Sequence, residues 1–339
     1  MRSFVTGGTG FIGRALIRRL LADGHEVRAL ARRPEALDVA PGLTPVPGEL
    51  VDQPPLRAAM AGCDAVFHLA AAARAWLPDP SEFDRANIDG TRAVLQAARA
   101  AGVGRVVYTS TVMVIGPTDG FIADEDTPIP SRHLSHYQRT KAAAEAVAAE
   151  FAAGGLDVVT VAPSLVYGPG DSARRVSFNR FLHDFLRGRA VVIPGDGSQR
   201  LNVVYLDDVV EGHRLALARG RCGQRYILGG ENLAVRELAA MVNTLTGHAR
   251  RVLHVPFALA EFAGRLDEAR ARLTGGAPLL TRSSVEIYRH SWCYASDKAR
   301  RELGYPARGA RAGIDLTLRW LEARDQIRIG AGGRASAAE

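Results

Sequence analysis

The sequence predicts an α/β protein, a doubly wound parallel sheet joined to a smaller and mostly C-terminal substrate-binding lobe. Three observations predict it. Through the first 165 residues, short apolar runs of strand length alternate with helical segments, the order that builds a parallel sheet covered by helices on both faces. The first of these runs passes through a glycine-rich turn into its helix, and beyond Pro163 the strict alternation stops. At 339 residues, with 47% hydrophobic and 23% charged content, the chain has ample material for a sizeable core.

Ser3 to Thr6 reads as a short buried strand, followed by Gly7-Gly8-Thr9-Gly10-Phe11-Ile12-Gly13 and a helix from Arg14 to Ala22. Gly8-x-Gly10-x-x-Gly13 and Gly7-x-x-Gly10-x-x-Gly13 both fit the dinucleotide pattern. Its glycines let the backbone approach a pyrophosphate seated on a helix N-terminus. Gly7, Thr9, Gly10, Phe11, Ile12 and Gly13 are therefore candidate cofactor contacts. Asp23-Gly24 turns the chain into a second strand, Glu26 to Ala31. NAD-preferring sites place an acidic residue at the end of this strand for the ribose 2′-hydroxyl. Here Ala31 stands there, followed by Arg32 and Arg33. Arginine grips a 2′-phosphate with charge-assisted bonds, so Arg32 is a candidate contact and NADP(H) is expected ahead of NAD(H).

Leu43 to Val46 is a third strand and Pro54 to Ala61 a short helix. Ala65 to Ala70 is a fourth strand, apolar except for His68, which reads as a satisfied structural histidine. Small residues at its carboxyl end make Leu69, Ala70 and Ala71 candidate cofactor neighbours. Ser81 to Ala101 reads as one helix carrying Asn87. Arg105 to Thr109 is a fifth strand that ends in Ser110-Thr111. Ligands bind at the carboxyl ends of parallel strands, which puts Thr111 on the rim above the polar loop Val112 to Leu134.

His136-Tyr137-Gln138-Arg139-Thr140-Lys141 opens an alanine-rich helix that runs to Ala153. Residues four apart share a helix face, so the Tyr137 hydroxyl and the Lys141 ammonium can point into one space. A nearby cation lowers a phenol's pKa, which makes an acid/base usable near neutral pH. Only Lys141 and Lys298 among the 43 basic residues are lysines, so a chance Tyr-x-x-x-Lys match has odds of about one in twenty. Leu156 to Ala162 is a sixth strand. After it come a helix (Ser177 to Arg187), a turn (Pro194 to Gly197), a strand (Leu201 to Tyr205) and a helix (Asp207 to Arg219). Arg225 to Leu228, a helix from Val235 to Thr246 and a long Arg/Ala/Leu-rich stretch follow. The expected division is a dinucleotide-binding domain over 1–165 and 201–220, a substrate lobe over 166–200 and 221–325, and a frayed tail over 326–339.

The formal charge of +7 comes from arginines scattered through helices, which argues against a nucleic-acid surface. Cys63, Cys222 and Cys293 lie too far apart for a disulfide framework or metal-ligand spacing, and no metal is expected. No run approaches the 18 or so apolar residues of a membrane span. Nor is there a signal-peptide pattern, and the expected address is cytoplasmic.

Together, Thr6 to Gly13, His68 to Ala71, Asn87, Ser110-Thr111, Tyr137-x-x-x-Lys141, Tyr167-Gly168-Pro169 and Leu201 to Val209 carry a resemblance. The chain is similar to the extended short-chain dehydrogenase/reductase family, of the NAD-dependent epimerase/dehydratase type, from about residue 3 to about residue 323. The resemblance implies a Rossmann domain, with Tyr137 as the acid/base. It implies that Lys141 holds the nicotinamide ribose and depresses the Tyr137 pKa, while Thr111 hydrogen-bonds the substrate oxygen. It adds Pro163 and Leu165 as cofactor contacts, and Val112, Met113 and Arg200 as substrate contacts. It also implies a homodimer in which Ser81–Ala101 and His136–Ala153 pair across a two-fold axis as a four-helix bundle.

Departures from the family narrow the chemistry. Its 4,6-dehydratases carry an Asp-Glu pair after the threonine, where Val112 and Met113 can move no proton. Its nucleotide-sugar epimerases hold the diphosphate with an asparagine, here Leu165, although Arg200 matches their phosphate-binding arginine. Pro163-Ser164-Leu165 looks more like dihydroflavonol reductases and 3β-hydroxysteroid dehydrogenases. Arg225 to Asn232 is similar to hopanoid-associated sugar epimerases. The expected activity is NADP(H)-dependent interconversion of a small-molecule ketone and a secondary alcohol. An NAD(P)-dependent sugar epimerase is the alternative. A non-catalytic NADP sensor is a third reading, and the intact Thr111, Tyr137 and Lys141 speak against it.

Overall fold

Alternate residues of the inner strands send their side chains to opposite sides of one sheet. Val5, Phe67, Val107 and Val159 enter one core, while Phe4, Val66, Val106 and Val158 enter another. A strand buried on both faces belongs to a parallel sheet covered by helices on each side. The structure, a computed structural model, describes residues 1–170, 177–187, 191–247, 250 and 252–325.

The first half of the chain forms β1 (Arg2–Thr6), α1 (Phe11–Ala22), β2 (Glu26–Ala31), β3 (Leu43–Pro47), α2 (Gln53–Met60) and β4 (Ala65–His68). Next come α3 (Ser81–Asp84), α4 (Gly90–Ala100), β5 (Arg105–Thr109), α5 (His136–Ala153) and β6 (Val158–Pro163). The second half begins with β7 (Leu165–Tyr167), α6 (Ser177–Leu186), β8 (Val191–Pro194), β9 (Arg200–Tyr205), α7 (Leu206–Arg219) and β10 (Arg225–Leu228). It continues through β11 (Glu231–Ala234), α8 (Val235–Thr246), β12 (Val252–Val255) and α9 (Phe257–Thr274). The last described elements are α10 (Arg282–Arg289), α11 (Asp297–Leu303) and α12 (Ala310–Asp325).

Seven strands make the central sheet in the order β10-β6-β5-β4-β1-β2-β3, with every pairing parallel. Leu16, Leu20, Val209 and Leu215 of α1 and α7 cover one face. Leu56, Val94, Ala148 and Phe151 of α2, α4 and α5 cover the other. Strand order reverses on either side of β1, which opens a ligand crevice above the carboxyl ends of β1 and β4. Two smaller sheets, β11-β9-β7 and β12-β8, belong to the lobe. There Tyr167, Phe178, Phe185, Leu238 and Ile314 share a separate core.

The structure differs from the sequence-based expectation in four places. The helix read over Ser81–Ala101 is α3 and α4 joined by a π-helical turn, Arg85–Asp89. There the Thr91 hydroxyl donates to the Asn87 carbonyl at 2.6 Å, and the Asn87 side chain is held by two partners outside the helix. The fourth strand ends at His68 instead of Ala70, and the short strands β7, β8, β11 and β12 were not anticipated. The domain boundary also runs differently. Arg225–Leu228, expected in the lobe, is the edge strand of the central sheet against β6. Residues 201–205, expected in the dinucleotide-binding part, belong to β9, the middle strand of a small sheet. The reason is packing: Tyr226, Ile227 and Leu228 are 0% exposed and cover the edge that β6 would otherwise leave bare. The expected tail over 326–339 lies outside the described residues.

Candidate active site

The glycine turn between β1 and α1 is shaped by close backbone approaches. Gly7 has φ +74°, and a Cβ there would come within 2.7 Å of the Ala70 nitrogen. A Cβ on Gly13 would collide with the Gly7 carbonyl. Gly10 donates its N–H to that carbonyl at 2.9 Å and caps α1. The first-turn N–H groups of α1 therefore face the crevice as a ready anion site. Thr9 and Gly10 are exposed, while Phe11 and Ile12 are half-buried with Phe11 against Gly170. Leu69, Ala70 and Ala71 follow β4 beside Gly7, and Ala70 donates its N–H to the Thr6 hydroxyl at 3.2 Å. Arg32 and Arg33, after β2, are exposed.

His68 is a structural residue. Its Nδ1 meets the Thr6 hydroxyl at 2.7 Å and its Nε2 the Thr91 hydroxyl at 3.0 Å. Burial pushes it down to about 3, so the ring is neutral at pH 7. The Asn87 Oδ1 accepts the Ala72 N–H at 2.7 Å, and its Nδ2 donates to the Thr140 hydroxyl at 2.9 Å. The cofactor-side loop is thereby tied to the start of α5.

Ser135 caps α5 by accepting the Gln138 N–H at 3.1 Å. Two turns of this helix present Tyr137, half-buried, and Lys141, 2% exposed. The Lys141 ammonium does not spend its hydrogen bonds on Tyr137. It donates to the Tyr108 hydroxyl and to the Thr109 carbonyl, both at 2.8 Å, and lies 4.5 Å from the Tyr108 ring centroid. Burial pulls Lys141 down to about 7, with Glu145 acting the other way. The expectation that Lys141 depresses the Tyr137 pKa is corrected here: burial pushes the phenol up to about 12, and only hydrogen bonding with Thr111 opposes the rise.

Thr111, 8% exposed, accepts the Met113 N–H at 3.3 Å and starts a 3-10 turn over Val112–Val114. Val112 and Met113 pack into an apolar cluster with Ala162, Ile227 and Trp292. Pro163 and Leu165 flank Ser164, whose buried hydroxyl has no hydrogen-bond partner. Arg200 is not brought to this group. It donates to the Asn232 carbonyl at 2.6 Å and lies 3.6 Å from Glu237 across the small sheet. A cavity of about 830 Å³ opens beside the start of α5, between Trp76, Phe83, His133, His136, Glu268 and Arg282. Tyr137 and the glycine turn are not among its walls, so it adjoins the reacting groups without containing them. Tyr108 and Glu145 were missed from sequence, and Ser110 stood out there only as the neighbour of Thr111. For Glu145 a signal existed, since it stands four residues after Lys141 on the same helix.

A glycine turn at the reversal point of a parallel sheet, with a Tyr-x-x-x-Lys helix on the neighbouring rim, defines an NAD(P)-dependent oxidoreductase or epimerase of the extended short-chain dehydrogenase type. The sequence profile of the NAD dependent epimerase/dehydratase family matches residues 3–229, and the chain belongs to that family. It is 36% identical over 314 residues to a 4-hydroxy-2-methyl-3-oxo-4-farnesyl-3,4-dihydroquinoline-1-oxide ketoreductase of Stigmatella aurantiaca, covering 91% of this chain and 92% of that protein. To a 2-alkyl-3-oxoalkanoate reductase of Stenotrophomonas maltophilia it is 35% identical over 318 residues, covering 90% and 94%. The fold is similar to a solved dTDP-glucose 4,6-dehydratase of Streptomyces venezuelae with NAD bound. The TM-score is 0.78 at 30% identity, over 96% of this chain and 98% of that one.

Proposed function

We propose that the chain is an NADP(H)-dependent reductase that interconverts a ketone and a secondary alcohol, with Tyr137 as the acid/base. The observation that carries this reading is the placement of Thr111 at the carboxyl end of β5 and of Tyr137 in the first turn of α5, which packs against the Val112–Val114 turn, with no second proton-moving side chain at Val112 and Met113. The similarity to ketoreductases and oxoalkanoate reductases supports it.

The residues fit a dinucleotide. The turn from Gly7 to Gly13 would hold the pyrophosphate, exposed Arg32 a 2′-phosphate, and Lys141 the nicotinamide ribose. Leu69, Ala70, Ala71, Pro163 and Leu165 would flank it. When bound, the nicotinamide supplies or accepts hydride. Thr111 orients the carbonyl oxygen, and Tyr137 gives that oxygen its proton as the alcohol forms. A phenol pushed up to about 12 is fully protonated at neutral pH, which suits donation. The apolar Val112 and Met113 keep water from the reacting carbon, and the adjoining cavity, whose walls set Arg139, Arg282 and Glu268 beside Trp76 and Phe83, is the approach for the ketone.

The test is consumption of NADPH and NADH with a panel of ketones. Parent protein should oxidise NADPH in preference, and Arg32→Ala should weaken NADPH binding without changing NADH binding. Tyr137→Phe keeps the ring and should keep NADPH binding while losing roughly 100- to 10,000-fold in turnover. Near-parental turnover in that variant would end the assignment. The alternative, an epimerase, uses the same residues and would isomerise its substrate without net consumption. Arg200, engaged by Asn232 and Glu237, weighs against a nucleotide-sugar form of it. The proposed assembly is a homodimer through α5, whose Ala146, Ala149 and Ala153 are exposed.

A further inference from the structure

Glu145 stands one helical turn beyond Lys141, which puts both side chains on the sheet-facing side of α5. It is 9% exposed, and a carboxylate that deep needs compensation. Its Oε2 accepts from the Ser110 hydroxyl at 2.9 Å, and its Oε1 lies 3.4 Å from Nε of Arg225 on β10. Arg225 in turn donates to the Glu125 carbonyl at 3.0 Å. Ser110 sits between Thr109, whose carbonyl takes an N–H from Lys141, and Thr111. Glu145 is thus bonded to the strand end between the Thr109 carbonyl and Thr111 and stands one helical turn from Lys141.

We propose that Glu145 is a positioning residue: its negative charge keeps the buried Lys141 ammonium protonated, and its bond to Ser110 holds the Thr109–Thr111 strand end against α5. This role presupposes that Lys141 and Thr111 serve the reaction set out above.

The direct partners of Lys141, a phenol and a carbonyl, are neutral and do not offset the loss of water around an ammonium. The charged or titratable groups around it come from every packed element. They are Tyr108 on β5, His68 on β4, Tyr137 and Glu145 on α5, and Arg225 on β10. Burial keeps Tyr108, Tyr137 and His68 uncharged at pH 7, and Arg225 is a cation. Of these groups only Glu145, with the Ser110 hydroxyl donating to it and the Arg225 guanidinium 3.4 Å away, can bring negative charge. It raises Lys141 against the burial that pulls it down to about 7. Burial raises the Glu145 carboxyl, while Arg225, Ser110 and Lys141 draw it back toward ionisation.

The chain holds only two lysines, so the effect can be read on Lys141 itself. Protein labelled with carbon-13 at lysine Cε gives two side-chain NMR signals, and Lys298→Arg assigns them. The titration is run without dinucleotide or substrate on the parent, Glu145→Gln and Glu145→Asp. Glutamine keeps an acceptor for Ser110 but removes the charge, and should lower the Lys141 midpoint by about one pH unit, a tenfold loss of ammonium above it. Aspartate retains the charge one methylene further back and should fall between parent and glutamine. An unmoved midpoint in Glu145→Gln, or an equal shift in both variants, would overturn the role. If Glu145→Gln does not fold, Glu145→Asp decides: a midpoint identical to the parent's overturns it. No turnover is measured, so failure to reduce any ketone would remove the functional reading and leave this result standing.

Discussion

Tyr137 and Lys141 were legible because their relationship lies within one helix, where a spacing of four fixes a shared face. What the spacing could not show is where the ammonium goes. Tyr108 and the Thr109 carbonyl reach Lys141 from β5, a neighbour that only the folded sheet supplies. Glu145 stayed unseen for a related reason, since a glutamate in an alanine-rich helix reads as a solvated residue until Ser110 and Arg225 close over it. The raised Tyr137 pKa has a directional consequence. Ketone reduction uses the protonated phenol, so its initial rate should show no limb from Tyr137 between about pH 6 and pH 9. Alcohol oxidation needs the phenolate, whose fraction below a pKa of about 12 grows tenfold per pH unit, and its rate should rise steeply over the same range. Initial rates in both directions check this. A flat oxidation profile would show that the working enzyme holds Tyr137 well below neutrality.

Among the elements, α5 has the expected bounds because its alanine-rich run favours helix as far as Ala153, while Ser135 caps its start by accepting the Gln138 N–H. The π-helical turn before α4 has no such mark. It is drawn out by the Asn87 bonds to Ala72 and Thr140, which lie in other segments of the chain. Strands β7 and β11 are too short to show a period of two. The glycine turn was legible in full, and it makes a sharp prediction about one methyl group. Gly13→Ala sets a Cβ against the Gly7 carbonyl, which belongs to the turn's own backbone and cannot rotate aside. The turn must shift, and NADPH affinity measured by protein fluorescence quenching should fall at least tenfold while far-UV circular dichroism keeps the parent's shape. Unchanged affinity would mean that the dinucleotide does not rest on this turn.

For the molecule as a whole, the doubly wound sheet followed from alternation, but the membership of each strand did not. Arg225-Tyr226-Ile227-Leu228 says that a strand is buried and nothing about which strand it joins. Assembly was carried by resemblance alone, and the exposed alanines on α5 allow two such helices to approach closely. Light scattering should find a dimer at micromolar concentration, and Ala146→Arg on the outer face should shift it to monomer. A monomeric parent would dismiss the dimer.

The place of β10 also bears on how the chain reaches this state. Between β6 and β10 the polypeptide leaves the central sheet, builds β7 through β9 and the intervening helix α6, then returns along α7. Until that excursion is complete, β6 presents an unpaired row of amide and carbonyl groups, an edge open to association with other chains. Pairings that close only across such a long loop form slowly. The two lobes are therefore not separable folding units. A ribosome that has released everything through Tyr205 still holds a nucleotide-binding sheet one strand short, and a fragment cut there would be a sticky intermediate instead of a free-standing domain.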